Sequence, residues 1–465
     1  MAKLHIVLFP AMSYGHLIPT LDLAKLFTSR GLRVTIITTP PFAPTVERAR
    51  SSGHDIGLKT LDFPPKNSLL PKNIFSLDQV SSPDLLAEFF EATALLRDPL
   101  ERLLLDLDAS CLVSGIFLPW TAGLAKDLGI PRLVFHGWGC FALCASEHMH
   151  IHEPHKSLSS DSDTFVLPGL PHELTFVRSQ APSRDQDSLF SRMKERMRET
   201  DRESFGVVVN SFYELEPDYA DHYKNVLGLK TWHVGPLFLL CNDEGDNKEK
   251  SRGKESDIDE HEYLTWLDSK KPDSVVYVCF GSMVTFTRAQ HHEMAAGLET
   301  SGHDFVWAVR HEGKEDPLPE GFEERMSGKG LVIRGWAPQV TILGHEAVGA
   351  FVTHCGWNSA LEGVCAGVPM VTWPAFAEQF YNEKLLTEVL RVGVPVGSKK
   401  WERVGIEGVG QEAVRAAVQR VMADDEMRQR TKDLKVMAKR VVAEGGSSYE
   451  GLNALIDELR VYVPS

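Results

Sequence analysis

The sequence lacks the features that define several large classes of protein. Its 7 cysteines are scattered along 465 residues without a CxxC pair or a metal-finger spacing, which is typical of reduced thiols and not of a disulfide framework. The 64 acidic residues outnumber the 49 basic ones, and the net charge of -15 argues against a protein that neutralises nucleic-acid phosphates over a broad surface. An anionic ligand would have to be held by local dipoles instead.

Long apolar runs and targeting signals are also missing. The most apolar long stretch, residues 111–125, is interrupted by Pro119 and by polar residues and is too short to span a bilayer. The opening residues MAKLHIVLFP lack the apolar core and the cleavage site of a signal peptide. With 43% apolar and 24% charged residues, we expect a folded, soluble, cytoplasmic protein of roughly two to four domains.

Short β-branched runs alternate with helical patterns through the first half of the chain. Helices are expected between these runs, one with Pro19 in its first turn and one at 83–95. Strands that are continuously apolar and separated by helices indicate a parallel sheet covered on both faces. The strands predicted here are residues 3–9, 33–38, 111–117, 132–136 and 206–210.

Residues 242–262 interrupt this alternation. Ile258 is their one aliphatic residue, so the segment cannot bury enough surface to fold and is predicted to be an interdomain connection or loop. The alternation then resumes, with a helix from about Thr287. The strands predicted in this second part are residues 275–280, 305–309, 349–353 and 370–373.

The two alternating parts predict an α/β protein of two domains, each a doubly wound parallel sheet, facing each other across a cleft. The domains are expected at 1–241 and 263–445, with a last helix in 446–465 that packs back on the first domain. Ligands of such sheets bind at the carboxyl ends of the strands.

Gly15 and His16 come directly after the first strand, where a helix begins. An imidazole at that edge could take a proton from an incoming hydroxyl, because its reference pKa lies close to neutral pH. The helix N-terminus would disfavour the charged ring and keep it neutral at rest. The alternative is a histidine that merely caps a turn.

A glycine and a hydroxyl end the first strand of the second domain, in the motif Cys279-Phe280-Gly281-Ser282. Such a turn allows the close approach of an anionic group, although strand–Gly–Ser turns are also ordinary loop chemistry. No Walker loop of the form GxxxxGK[ST] occurs in the chain.

Residues 336–379 are dense in side chains suited to a nucleotide sugar. Trp336 precedes a rigid turn and could stack on a planar base. The run from His354 to Ser359 follows a buried strand and opens a helix, where Gly356 allows close backbone approach. His354, Asn358 and Ser359 would supply donors for a diphosphate at the positive end of the helix dipole, without a metal.

Three further polar residues of this segment could bind sugar hydroxyls. Glu362 lies one helical turn beyond Asn358 and could accept two hydrogen bonds from a ribose diol. Glu378 and Gln379 follow the strand that ends near Trp373 and could bond a hexose. For each of these residues alone, an ordinary core, surface or capping role remains the alternative.

The segment 336–379 resembles the signature box of the plant secondary-product glycosyltransferases, from its opening WAPQ through HCGWNS to its terminal EQ. GHLIP after the first strand and FGS in the second domain match the same family, so the resemblance spans nearly the whole chain. It implies a GT-B fold, an N-terminal domain that binds the acceptor, a C-terminal domain that binds the UDP-sugar, and inverting transfer.

The resemblance also implies a role for each matching residue. His16 aligns with the catalytic base, Trp336 with the uracil-stacking residue, Gln339 with a uracil and ribose contact, and Glu362 with the ribose-binding acid. In this family, glutamine at the last position of the box is associated with glucose as the transferred sugar, and this chain has Gln379 there. The preceding position is often Asp in the family, and this chain has Glu378. The remaining implied donor contacts are Ser282, Ala337, His354, Gly356, Asn358 and Ser359 around the base and diphosphate, and Trp357, Glu378 and Gln379 at the sugar.

One departure from the family concerns the base. The family usually carries an aspartate in a Ser-Asp-x-Phe pattern that bonds the second nitrogen of the histidine, whereas this chain has Gly115 there. Loss of the equivalent partner in a Ser-His-Asp triad costs about 10⁴ in rate. Another group could substitute, the acceptor could already be acidic, or Gly115 could be an introduced substitution.

The expected function is therefore inverting, UDP-glucose-dependent glucosylation of a hydroxyl on a lipophilic small molecule, such as a flavonoid, phenolic, triterpenoid or steroid. No cofactor, metal, nucleic acid or membrane partner is expected, and the chain is expected to be a monomer. The alternatives are C-glycosylation on the same scaffold and a UDP-sugar-binding protein whose catalysis is impaired by Gly115. Candidates for the acceptor pocket are Phe117, Trp120, Trp138, Phe141 and Phe376.

Overall fold

A computed structural model describes residues 4–181, 189–240, 257–310 and 315–462. These residues form two compact units. The first takes the described residues of 1–140, 184–253 and 440–465, and the second takes those of 141–183 and 254–439.

Strands and helices alternate along both units. The strands in the described ranges are β1 (His5–Phe9), β2 (Arg33–Thr38), β3 (Ile56–Thr60), β4 (Cys111–Gly115), β5 (Arg132–Phe135), β6 (Thr164–Val166), β7 (Thr175–Val177), β8 (Gly206–Val209), β9 (Thr231–His233), β10 (Val275–Cys279), β11 (Thr285–Phe286), β12 (Asp304–Val309), β13 (Gly330–Arg334), β14 (Val348–Thr353), β15 (Met370–Thr372), β16 (Gly393–Pro395) and β17 (Val404–Ile406). The helices are α1 (Tyr14–Ser29), α2 (Ala43–Ser51), α3 (Pro83–Ala94), α4 (Arg97–Asp106), α5 (Trp120–Asp127), α6 (Cys140–His152), α7 (Leu189–Glu203), α8 (Pro217–Asn225), α9 (Leu237–Leu240), α10 (Glu260–Asp268), α11 (Arg288–Ser301), α12 (Phe322–Arg325), α13 (Gln339–Gly344), α14 (Trp357–Ala366), α15 (Gln379–Lys384), α16 (Gln411–Ala423), α17 (Asp425–Val442) and α18 (Ser447–Tyr462).

The first unit is built on a parallel sheet that, within the described ranges, has seven strands in the order β3-β2-β1-β4-β5-β8-β9. All five residues of β1 and of β4 are buried, as a strand covered by helices on both faces requires. The strand order reverses between β1 and β4, and Phe9 lies opposite Ser114 in that pairing. The carboxyl ends of β1 and β4 therefore lie side by side.

The second unit repeats this plan with a sheet that, in the described part of the chain, has six parallel strands in the order β13-β12-β10-β14-β15-β16. This strand order is that of a doubly wound sheet, in which the chain builds outward in both directions from a central pair of strands. Ligands of such sheets bind at the point where the strand order reverses. That point lies between β10 and β14, where Cys279 pairs with Thr353. The fully buried rings of Trp307 and Trp373 belong to the core around this sheet. Two doubly wound parallel sheets confirm the predicted fold class.

Helix α1 differs from the sequence prediction in where it begins. Its N-cap is Ser13, whose backbone is extended, so the helix starts at Tyr14 and Pro19 lies in the helix interior, not in the first turn. The missing N–H of Pro19 therefore does forfeit one hydrogen bond within the helix.

The division into units places 141–183 with the second unit, whereas the sequence was expected to divide at 241. Contacts explain the placement, because Phe176 of β7 packs edge-on against Tyr381 at 5.8 Å and the Trp401 N–H donates to the Ser179 carbonyl at 3.0 Å. Most of the expected connection at 242–262 lies outside the described residues, and α10 already begins at Glu260.

Helix α18 belongs to the first unit, where it packs against β9. The Trp232 indole N–H of β9 donates to Glu458 at 3.3 Å. None of the helices in the described ranges combines the length and the apolar character that crossing a bilayer requires.

Helices α11 and α16 cross closely at Gly297. A Cβ on this residue would lie 2.6 Å from the Val414 Cβ and 2.8 Å from the Gln411 carbonyl oxygen, so only glycine lets the two helices approach. Gly123 in α5 has no such neighbour within 4 Å.

We expect Gly297→Ala to lower the free energy of unfolding by about 1–3 kcal/mol, because overpacking outweighs the better helix propensity of alanine. Gly123→Ala is the matched control and should raise it by about 0.5–1 kcal/mol. Urea unfolding followed by far-ultraviolet circular dichroism measures both. A Gly297→Ala protein as stable as its parent would contradict the close crossing.

Candidate active site

Three neighbouring strand ends of the first unit surround His16. The residue lies in the first turn of α1, directly after β1. Gly115 ends β4, and its partner Phe135 ends β5, after which the chain continues into His136 and Gly137. A Cβ on Gly137 would lie 4.0 Å from Nδ1 of His16, so the chain after β5 passes beside the ring.

Apolar neighbours control the charge of His16. Its ring is partly buried and meets the Phe117 ring edge-on at 5.1 Å, and Phe90 stacks on Phe117 at 5.7 Å. Loss of hydration, with a smaller contribution from His136, lowers the pKa of His16 to about 4. The ring is therefore neutral near pH 7, and its free nitrogen can accept a proton.

No side chain in the described ranges hydrogen-bonds the His16 ring, so nothing in those ranges replaces the missing aspartate. Packing does not require glycine at 115, because a Cβ there would lie 3.5 Å from the Ala11 nitrogen and 3.8 Å from its Cβ, which are ordinary contacts. A residue with a Cβ can therefore occupy this position without displacing its neighbours.

Asp201 of α7 is an acid near the end of β5, but its carboxylate contacts His136. Its carboxylate lies 2.8 Å from Nε2 of His136 and also interacts with the buried Arg132. The Arg132 guanidinium donates to Ser114 Oγ at 2.8 Å and to Ser204 Oγ at 2.7 Å. Sequence reasoning missed this network, although a buried arginine within the strand RLVF was a signal for it.

In the second unit, the ring of His354 lies between two glycines. A Cβ on Gly281, in the turn after β10, would lie 2.8 Å from the ring, and a Cβ on Gly356 would lie 2.5 Å from its Nε2. Both glycines of the FGS and HCGW motifs are therefore required by the imidazole. Burial lowers the pKa of His354 to about 4, and its Nδ1 has no hydrogen-bond partner among the described residues.

The backbone beside His354 is held in a strained conformation. Cys355 has a φ of 63°, which is unusual for a residue with a side chain. The Asn382 amide donates to the Cys355 carbonyl at 2.8 Å, and the Cys355 N–H donates to Thr353 Oγ1 at 3.3 Å. Asn382 lies outside the motifs and was missed, because nothing in the local sequence indicates its contact with Cys355.

A connected group of side chains follows on α13 and α14. The Gln339 amide donates to Ser359 Oγ at 3.0 Å and to Glu362 Oε2 at 2.7 Å. Ala337 and Glu362 are buried, whereas Trp336 keeps part of its ring exposed. The structure thus brings together Gln339, Ser359 and Glu362, as the spacing of the motifs suggests.

The two last residues of the segment differ in what they can offer a ligand. Burial raises the pKa of Glu378 to about 7, and its carboxylate accepts the Trp357 N–H at 3.4 Å. The side-chain oxygen of Gln379, Oε1, accepts hydrogen bonds from the backbone N–H groups of Ala375 and Phe376 at 2.9 and 3.1 Å. The side-chain oxygen of Gln379 is thus occupied, and Gln379 can offer a ligand its amide nitrogen as a donor.

The remaining candidates are divided between the units. Ser282 follows β10, and Asn358 lies in the first turn of α14, so both are at the strand ends that bear His354. Phe117 contacts His16, and the Trp120 indole N–H donates to Thr93 at 3.3 Å. Phe141 is completely buried and is a core residue. Trp138 belongs to the first unit and Phe376 to the second.

Comparison with known proteins agrees with this arrangement. The family model described as UDP-glucoronosyl and UDP-glucosyl transferase matches residues 172–436. A scopoletin glucosyltransferase of Nicotiana tabacum is 52% identical, and an anthocyanin 3'-O-beta-glucosyltransferase of Gentiana triflora is 50% identical, each over 99% of both chains. The crystal structure of Glycyrrhiza uralensis UGT73P12 with glycyrrhetinic acid 3-O-monoglucuronide matches with a TM-score of 0.90 at 38% identity, over 99% of this chain and 96% of that one.

The resemblance seen in the sequence is therefore confirmed by independent matches over nearly the full length of the chain. The chain belongs to the plant family 1 UDP-glycosyltransferases, and it is a glycosyltransferase with the GT-B fold.

Proposed function

We propose that this enzyme uses His16 as the base that activates an acceptor hydroxyl for attack on UDP-glucose. It transfers glucose to a small lipophilic acceptor, with inversion at the anomeric carbon. The observation that carries the proposal is a neutral imidazole at the carboxyl end of β1, beside the Phe117 ring. A general base must be unprotonated and partly accessible at rest, and His16 meets both requirements.

The donor is assigned to the second unit, residue by residue. Trp336 stacks on the uracil, and Gln339 and Glu362 bind the base edge and the ribose. Ser282, His354, Asn358 and Ser359 hold the diphosphate. The buried Nδ1 of His354 supports this assignment, because a buried polar atom calls for a hydrogen-bond partner. Trp357, Glu378 and the amide nitrogen of Gln379 bind the glucose.

In the transfer, a nitrogen of His16 takes the acceptor proton while the acceptor oxygen attacks the anomeric carbon from the face opposite UDP. The bond between that carbon and the diphosphate oxygen breaks, and UDP leaves with the electron pair as a β-glucoside forms. Neutral N–H and O–H groups aimed at the diphosphate stabilise the developing negative charge. The proposed enzyme is a cytoplasmic monomer that uses no cofactor or metal.

The proposed acceptors are phenols. A base with a pKa of about 4 removes a proton more easily from an acidic hydroxyl than from an aliphatic alcohol. Scopoletin and anthocyanins, in the names of the two relatives, support this choice.

We expect His16→Ala to lower kcat by about 10²–10⁴, because the acceptor proton loses its base. The affinity for UDP, measured by calorimetry, should stay unchanged, since the nucleotide contacts are assigned to the second unit. His222→Ala removes another partly buried histidine of the first unit and should keep the parent kcat.

A His16→Ala enzyme with the parent kcat would place the base elsewhere. A parent protein that binds UDP-glucose but transfers it to no phenol would instead favour a sugar-nucleotide-binding protein without transferase activity.

The absence of an acid at 115 predicts how the enzyme depends on the acidity of its acceptor. We expect a steep fall in kcat/KM from acidic phenols to aliphatic alcohols. Gly115→Asp should accelerate the poor acceptors most, because a carboxylate beside His16 stabilises the imidazolium that forms. Rates across a series of phenols of graded pKa measure this.

Gly115→Asn is the matched control, since it has the same shape without the charge and should keep the steep dependence. If the parent, Gly115→Asp and Gly115→Asn all show the same dependence on acceptor pKa, the charge argument is wrong.

A further inference from the structure

We propose that Asp257 is a positioning residue for Trp336, a role that rests on the proposed stacking of Trp336 on the uracil. The Trp336 N–H donates to the Asp257 carboxylate at 2.5 Å. The Asp257 N–H donates in turn to the Trp336 carbonyl at 3.0 Å. This reciprocal pair joins two segments that are 79 residues apart and belong to the same unit.

Gly335 makes the contact possible. A Cβ on this residue would lie 2.2 Å from the Asp257 carboxylate oxygen, so the carboxylate occupies the space that a side chain would take. The φ of Gly335 is 117°, which residues with side chains rarely adopt. Its N–H donates to the Val309 carbonyl at 3.1 Å, so the loop before Trp336 is fixed from two directions.

The carboxylate of Asp257 is not needed for the helix that follows it. The N-cap of α10 is Asp259, whose own carboxylate accepts the His261 N–H at 2.9 Å. Asp257 is exposed, and within the described residues its carboxylate accepts the backbone N–H of Trp336. Its contact therefore serves the loop that presents the indole.

Holding the backbone of Trp336 before the donor arrives reduces the ordering that binding must otherwise supply. Loss of the contact should thus weaken donor binding and leave the chemical step alone. The negative charge of Asp257 would by itself repel the diphosphate, so its removal should favour UDP electrostatically. Weaker binding after its removal therefore points to lost positioning.

The test is the affinity of the full chain for UDP, by calorimetry, together with KM for UDP-glucose and kcat. We expect Asp257→Ala to raise both Kd and KM roughly five- to tenfold, the size of one charge-assisted hydrogen bond near the surface, with kcat within about twofold of the parent. Asp257→Asn keeps a side-chain acceptor and should recover most of the affinity. Asp259→Ala, the neighbouring cap, should leave the UDP affinity unchanged.

Trp336→Ala, measured in parallel, separates this inference from the proposed function. If Trp336→Ala loses affinity while Asp257→Ala does not, the positioning role is overturned and the stacking role stands. If Trp336→Ala leaves UDP affinity unchanged, the stacking role fails and the inference fails with it. Equal losses for Asp257→Ala and Asp259→Ala would trace the effect to α10 and also overturn the positioning role.

Discussion

Loss of hydration around two imidazole rings sets the charge states on which the proposed chemistry of both units depends. His16 follows β1 and His354 follows β14, and each unit places its ring at the strand end where the sheet order reverses. Burial holds the pKa of each ring at about 4, so both are neutral near pH 7. Neutral His354 can donate one N–H to a diphosphate without a buried charge. Neutral His16 can take a proton at once, but it is a weak base.

In the proposed mechanism, the weak basicity of His16 makes proton removal depend more strongly on the acidity of the acceptor hydroxyl. A phenol with a pKa of about 10 differs from His16 by about six units, or about 8 kcal/mol for complete proton transfer, and an aliphatic alcohol differs by more. Bond formation to the sugar offsets this cost as the proton moves. A carboxylate beside the ring would lower it further, yet Gly115 supplies none, and the Asp201 carboxylate lies 2.8 Å from His136 instead. The proposal therefore makes the acidity of the acceptor one of the factors that set the rate.

Much of the fold could be predicted because its signals are local. The continuous apolar runs of β1, β2 and β10 mark their strand ends within a few residues. The edge strands β3 and β13 were not predicted, since each is only partly buried and lacks the continuous apolar run of a central strand.

The site was predictable in its residues but less so in its geometry. His354, Gln339 and Glu362 were found from their spacing, whereas the contacts of Asn382 and Asp257 join segments far apart in sequence. No local pattern reports such contacts. Local sequence also does not reveal that two backbone N–H groups occupy the side-chain oxygen of Gln379. Nor does it reveal that residues 141–183 belong to the second unit.

The charge state of His16 is the central claim, and a nuclear magnetic resonance titration tests it most directly. Histidine labelled with ¹³C at Cε1 would be followed from about pH 8 down to about pH 5, with the His16 signal assigned by its loss in His16→Gln. We predict that this signal moves by no more than about a tenth of its full titration shift over the range, because a ring with a pKa of about 4 is still mostly neutral at about pH 5. A titration midpoint at about 6.5 or above would contradict the account.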